Sequence, residues 1–192
     1  MLILVIIANV VVYLIMAATV GDLSFDADTL LGWGGNLGEL SLNGQPWRLV
    51  TAMYLHAGPM HILGNMALLS ITGMFLELRI GPVRSLAAYT VCGLAGSLLS
   101  ATAHPDVVSV GASGAIAGLL GIMVAFYLSG RVPEIRGAWI AQTVGVNALY
   151  SLAPNVDWAA HAGGFMAGVL VAGGLLAAGL PRPLARSAGS SE

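Results

Sequence analysis

Cutting the chain at every aspartate, glutamate and arginine leaves six long uncharged intervals: residues 1–21, 49–76, 85–105, 107–130, 137–156 and 158–181. A membrane-spanning helix needs about 20 mostly apolar residues, and each interval supplies that length. In lipid only helices and closed barrels satisfy their own backbone. None of the six intervals alternates apolar and polar residues as a barrel strand would. The expected fold is therefore all-α: a polytopic membrane protein with six transmembrane helices in a compact bundle. Charge agrees, because 8% of the 192 residues are charged, where a soluble domain carries about 25%. The first interval lacks the basic start of a signal peptide and is long and apolar for the core of one, so it reads as a retained span.

All seven cations are arginines. Arg79 and Arg84 fall between spans 2 and 3, Arg131 and Arg136 between spans 4 and 5, and Arg182 and Arg186 after span 6. Only Arg48 falls on the other side. The positive-inside rule then places both termini in the cytoplasm. Asp22, Asp26, Asp28, Glu39, Asp106 and Asp157 come to lie outside. The long external loop is rich in Gly, Leu and Trp, which suits a position in the membrane interface. The expected domain covers residues 1–180, with the external loop 21–50 as part of it, followed by a disordered cytoplasmic tail of residues 181–192. A net charge of −2 leaves no basic surface for nucleic acid. Cys92 is the one cysteine, so no internal disulfide and no Cys/His zinc pattern is available. No cofactor signature is present.

Polar residues inside spans usually face the bundle interior and often mark function. His56, His61 and Asn65 fall near the external end of span 2, Ser113 near that of span 4, and His161 near that of span 6. Any one of them alone is more simply an interhelical hydrogen bond. Their coincidence at one depth points to a site. Zinc fits poorly: His56 and His61 are about 500° apart along a helix, hence on different faces, and no HExxH occurs. His61 and Asn65, four apart, share a face. His104, in the loop with Pro105 and Asp106, reads as solvated.

Ser113 within "VGASGAIAGL" has the surroundings of a nucleophile. It needs a base, and neutral histidine serves near pH 7. His161 is the best candidate. The GxxxG of Gly164 and Gly168 on span 6 would bring it against a small stripe of Ser113, Ala117 and Gly121 on span 4. A tetrahedral intermediate needs donors for its oxyanion. The amides of Ala112 and Ser113 at a helix start can supply them, with His61 and Asn65 from the side. Gly111 and Gly114 would let a substrate backbone come close. Asp157 shares a face with His161, but its reading here is N-cap of span 6.

Together these residues resemble the rhomboid family of intramembrane serine proteases. The match consists of "GASG" at 111–114, "HAGGFMAG" at 161–168, "HAGPMHILGN" at 56–65, "WR" at 47–48 and "ELRIG" at 77–81. It runs in family order over nearly the whole chain, as a minimal six-span bacterial core. The resemblance implies a Ser113–His161 dyad without an aspartate. It implies an oxyanion hole from His61, Asn65 and the backbone at Ala112 and Ser113. Trp47 and Arg48 would hold the first loop, and Glu77 and Arg79 would pin the cytoplasmic turn. His56 would sit near the site without a catalytic part. Span 5 and the loop 153–156 would act as gate and cap. In some relatives an aromatic four residues after the serine stacks on the histidine. Here that residue is Ala117, so the ring of His161 takes its orientation from packing or another contact.

The implied enzyme is a serine endopeptidase of the plasma or inner membrane, with no cofactor and no metal. Its partners would be the lipid bilayer and transmembrane protein substrates whose external ends are weakly helical, with a small residue before the scissile bond. The competing reading is a catalytically silent rhomboid-like protein that binds membrane clients. Such relatives typically lack the serine or the histidine, and both are present here. A transporter would carry polar groups through the midplane and on both sides, whereas these stop in the outer half.

Overall fold

The structure, a computed structural model, describes residues 1–153 and 156–181. Its described residues are helical, without β-strands: α1 (Leu2–Val20), α2 (Ala27–Gly32), α3 (Gly38–Ser41), α4 (Arg48–Thr51), α5 (Pro59–Ile80), α6 (Pro82–Ala103), α7 (Ser113–Leu128), α8 (Gly137–Ser151) and α9 (Trp158–Ala177). A lone antiparallel bridge joins Asn36 to Ser109. Four helices, α1, α5, α6 and α9, are long and apolar enough to cross a membrane. The helix α7 is equally apolar but has 16 residues, and α8 has 15.

Two helix starts differ from the uncharged intervals. The second interval opens at residue 49, yet α5 begins only at Pro59. Proline suits the first helical position and cannot continue a helix arriving from before it. Residues 48–54 instead form α4 and a 3₁₀ turn that belong to the loop between α1 and α5. The fourth interval opens at residue 107, yet α7 begins at Ser113. The stretch before it is drawn out by the bridge at Ser109 and by the Gly111 amide, which donates to Ala52 O at 2.9 Å.

The central helix is α7. Eleven of its residues are buried, spread over all its faces, which is the pattern of a helix enclosed by others. It packs most extensively on α9, then on α6. The α7–α9 contact is backbone on backbone. A methyl group at Gly164 would overlap the carbonyl of Gly114, one at Gly168 that of Gly118, and one at Gly121 that of Phe165. The face pressed on α9 is thus Gly114, Gly118 and Gly121 rather than the stripe of Ser113, Ala117 and Gly121. Gly121 belongs to both, and at the other two positions the face is offset by one residue, about 100° of helix, which leaves Ser113 free to face a cavity. By contrast α8 has one buried residue, Ile140, and touches the bundle lightly.

The long loop between α1 and α5 lies against the bundle. Buried Arg48 donates from Nη1 to the carbonyls of Leu31 at 2.7 Å and Gly35 at 2.9 Å, and from Nε to Gln45 Oε1 at 2.6 Å. Its guanidinium rests 4.6 Å from the centre of the half-exposed Trp47 ring. Asn36 donates to Ser97 O on α6 at 2.9 Å. At the other end of the bundle Glu77 accepts from the Leu2 amide and pairs with the Met1 amino group at 2.7 Å, which joins α5 to α1. Arg79 pairs with Glu134 and lies over the Phe75 ring. The tail beyond residue 181, expected to be disordered, lies outside the described residues.

Candidate active site

Three helix segments bring the polar residues together. The first residue of α7 is Ser113, and no side chain caps that helix, so the donors of its first turn are left to other partners. One turn into α9 lies His161. Early in α5 come His61 and Asn65, on one face. All four line a cavity of about 410 Å³, with Tyr150 and Asn147 of α8 forming part of its wall. A second cavity of about 410 Å³, between α7, α8 and α9, shares His161 and Asn147 and includes Ala117, Ser151 and Phe165. His161, 7% exposed, thus borders both spaces.

Gly111 is the tightest point. Its φ of +122° lies where L side chains are rarely found. A methyl there would also stand 2.7 Å from His61 Nε2 and 3.7 Å from Ser113 Oγ. The absent side chain thus puts the His61 ring and the serine hydroxyl beside the same backbone. The Ala57 amide donates to His61 Nδ1 at 3.4 Å. Only an unprotonated nitrogen can accept, so the ring proton of neutral His61 sits on Nε2, the side facing Gly111. Asn65 donates one N–H to His61 O at 2.9 Å and keeps its second. Buried His56 packs edge-on against His61, with ring centres 5.0 Å apart at 69°.

Asp157 caps α9 by accepting from the Ala160 amide at 3.0 Å. Burial pushes its carboxyl up, but the neighbouring Ser100 and Ser109 hydroxyls, the Ala160 amide and His104 outweigh this and hold it below the usual carboxylate range. His104 differs from the solvated residue expected. Its Nδ1 lies 3.6 Å from Asp157 Oδ1, and its ring stacks edge-on with Trp158. One contact has no counterpart in the sequence reading: Ser151 Oγ, at the end of α8, lies 2.6 Å from His161 Nδ1. The loop 153–156, read as a cap, includes Pro154 and Asn155, which lie outside the described residues.

A serine and a histidine on facing helices, with amide, imidazole and carboxamide donors in one cavity, form the set of groups that acyl transfer requires. Comparison with known proteins places the chain in a family. Residues 43–178 match the Rhomboid domain. The chain is 36% identical to RHOMBOID-like protein 7 of Arabidopsis thaliana over 88% of its own length and 63% of that protein. It is 35% identical to Rhomboid protease GluP of Bacillus subtilis (strain 168), over 83% of this chain and 31% of that one. It is 38% identical to Rhomboid-like protease 5 of Toxoplasma gondii, over 70% and 17%. The chain spans less than two thirds of the length of each of these relatives. Apolar helices, motif order and domain match lead to one conclusion: this chain is a membrane protein of the rhomboid family.

Proposed function

We propose that the protein is an intramembrane serine endopeptidase that cleaves membrane-protein substrates in or near a transmembrane segment. The observation that carries this is the shared cavity of Ser113, His161, His61 and Asn65 at the uncapped start of α7. In this reading Ser113 Oγ attacks the scissile carbonyl carbon and passes its proton to His161 Nε2. The oxyanion is met by the Nε2–H of His61, the free N–H of Asn65, and the amides at Ala112 and Ser113. The imidazolium returns its proton to the leaving amine. Water then releases the acyl group by the same steps, with His161 again as base.

All six of α1, α5, α6, α7, α8 and α9 cross the membrane in this reading, with both termini in the cytoplasm of a cell with its plasma or inner membrane as host. Sixteen residues of α7 rise about 24 Å, less than the ~30 Å of the hydrocarbon core. In this reading the shortfall lies at the Ser113 end, and the cavity there must hold the water that hydrolysis consumes. A helical carbonyl is already hydrogen-bonded, so substrates with a weakly helical external end, rich in Gly or small residues, are favoured.

A fluorescent fluorophosphonate labels activated serines and needs no known substrate. In mild detergent the wild type is expected to label, and Ser113→Ala and His161→Ala to lose the signal by at least ~100-fold. A folded wild type that does not label would overturn the reading in favour of a client-binding protein without catalysis.

A further inference from the structure

The aromatic that some rhomboid relatives place beside the histidine is Ala117 here, and Ala117 lines the second cavity without reaching across it. Yet the His161 ring has a partner. Ser151 Oγ is 2.6 Å from Nδ1. The same hydroxyl donates to Asn147 O, one turn back in α8, at 2.7 Å. A serine hydroxyl has one hydrogen and two lone pairs. With its hydrogen committed to Asn147, Ser151 Oγ can only accept from His161. The ring proton of neutral His161 then sits on Nδ1, and Nε2 carries the lone pair that a general base must offer. A second contact points the same way. Asp157, the N-cap of α9, accepts from the Ala160 amide through Oδ1 and has its His contact with His104, and among the described residues no carboxylate forms a hydrogen bond or ion pair with His161 Nδ1.

We infer that Ser151 is a positioning residue of the active site: it holds the His161 ring in place and fixes the tautomer in which Nε2 is free to accept the Ser113 proton. The inference rests on the proposed Ser113–His161 dyad and deepens it. A carboxylate in this position would bring a negative charge against a buried ring. A hydroxyl performs the orientation alone, by passing its own hydrogen to a helix carbonyl. The two site histidines are consequently set in opposite states. The Ala57 amide forces the proton of His61 onto Nε2, making it a donor. Ser151 draws the proton of His161 onto Nδ1, leaving an acceptor. Among the described residues Ser151–His161 is also the one side-chain hydrogen bond joining α8 to another helix.

Two readouts on the 192-residue chain in lipid nanodiscs test this. The first is ¹⁵N NMR of the histidine rings, with the His161 resonances identified by their loss in His161→Ala. The chain has four histidines, so the spectrum is small. Wild-type His161 is expected to show a protonated Nδ1 and a bare Nε2, and Ser151→Ala to show a mixture of tautomers. A wild-type Nε2–H tautomer, or a Ser151→Ala spectrum identical to wild type, would overturn the inference whatever the activity. The second is the rate of fluorophosphonate labelling. Ser151→Ala should slow it about 10- to 100-fold, the range seen when the group orienting a functional histidine is removed. Ser151→Thr, which keeps the hydroxyl, should restore most of the rate. Normal labelling of Ser151→Ala would refute the inference and leave the dyad standing. Absence of labelling in the wild type itself would instead remove the dyad, with the tautomer read separately by NMR.

Discussion

At the scale of single residues, the site is built by what is missing as much as by what is present. Gly111 lacks a side chain where the His61 ring and the Ser113 hydroxyl converge. Asp157, the acidic residue nearest in sequence to His161, is spent on the end of its helix. Its folded carboxyl lies below the ordinary range, so its stabilising effect is present above the unfolded pKa and is lost as pH falls through the folded one. Thermal unfolding in detergent, followed from pH ~7 down to ~3, should show the wild type losing stability through the acidic limb. Asp157→Ala should start about 1 kcal/mol lower and show a flatter acidic limb. That Ser113, His161, His61 and Asn65 would share one space was legible from polar residue types at matching depth. Ser151 was not, because a serine inside a helix usually bonds its own preceding turn. Its second bond exists only once α8 is set against α9.

At the scale of helices, the decisive contact is the seam between α7 and α9. Glycines on both sides let carbonyl oxygens of one helix touch the backbone of the other. Gly168→Val would insert a branched side chain where even a methyl overlaps Gly118 O. It should destabilise the fold by about 1–3 kcal/mol if the helices yield, as overpacking does. A lower midpoint of detergent-induced unfolding, together with loss of probe labelling, is the expected result. Glycine spacing announced close packing and included Gly121, but placed the other two stripe positions one residue early, since Ser113 and Gly114 are both small and only the docked partner chooses between them. Helix starts were the other shortfall. Charges delimit the uncharged intervals, but α5 starts where Pro59 permits and α7 where the Gly111 turn ends. Hydropathy is blind to both, because the residues before each start are as apolar as those after.

At the scale of the whole molecule, six uncharged intervals correctly announced an all-helical membrane protein, and the arginine distribution yields a topology that can be tested. Asp106 and Arg131 are both exposed, in the loops at opposite ends of α7. Cys92 is fully buried and offers little background. An impermeant maleimide on intact cells should label Asp106→Cys, and should reach Arg131→Cys only after permeabilisation. The reverse pattern would invert the molecule and put the site on the cytoplasmic side. Within the bundle, the load is carried unevenly: α7 is clasped on all faces, whereas α8 leans on the rest with one buried side chain. The seam gives this asymmetry a mechanical sense. Two helices in backbone contact have no compliant side-chain layer left between them, so lateral pressure from the surrounding lipid meets a hard stop. The spacing of Ser113 and His161 is therefore set like the gap of a rigid caliper. The softer packing lies outside that gap, at α8, which buries Ile140 alone.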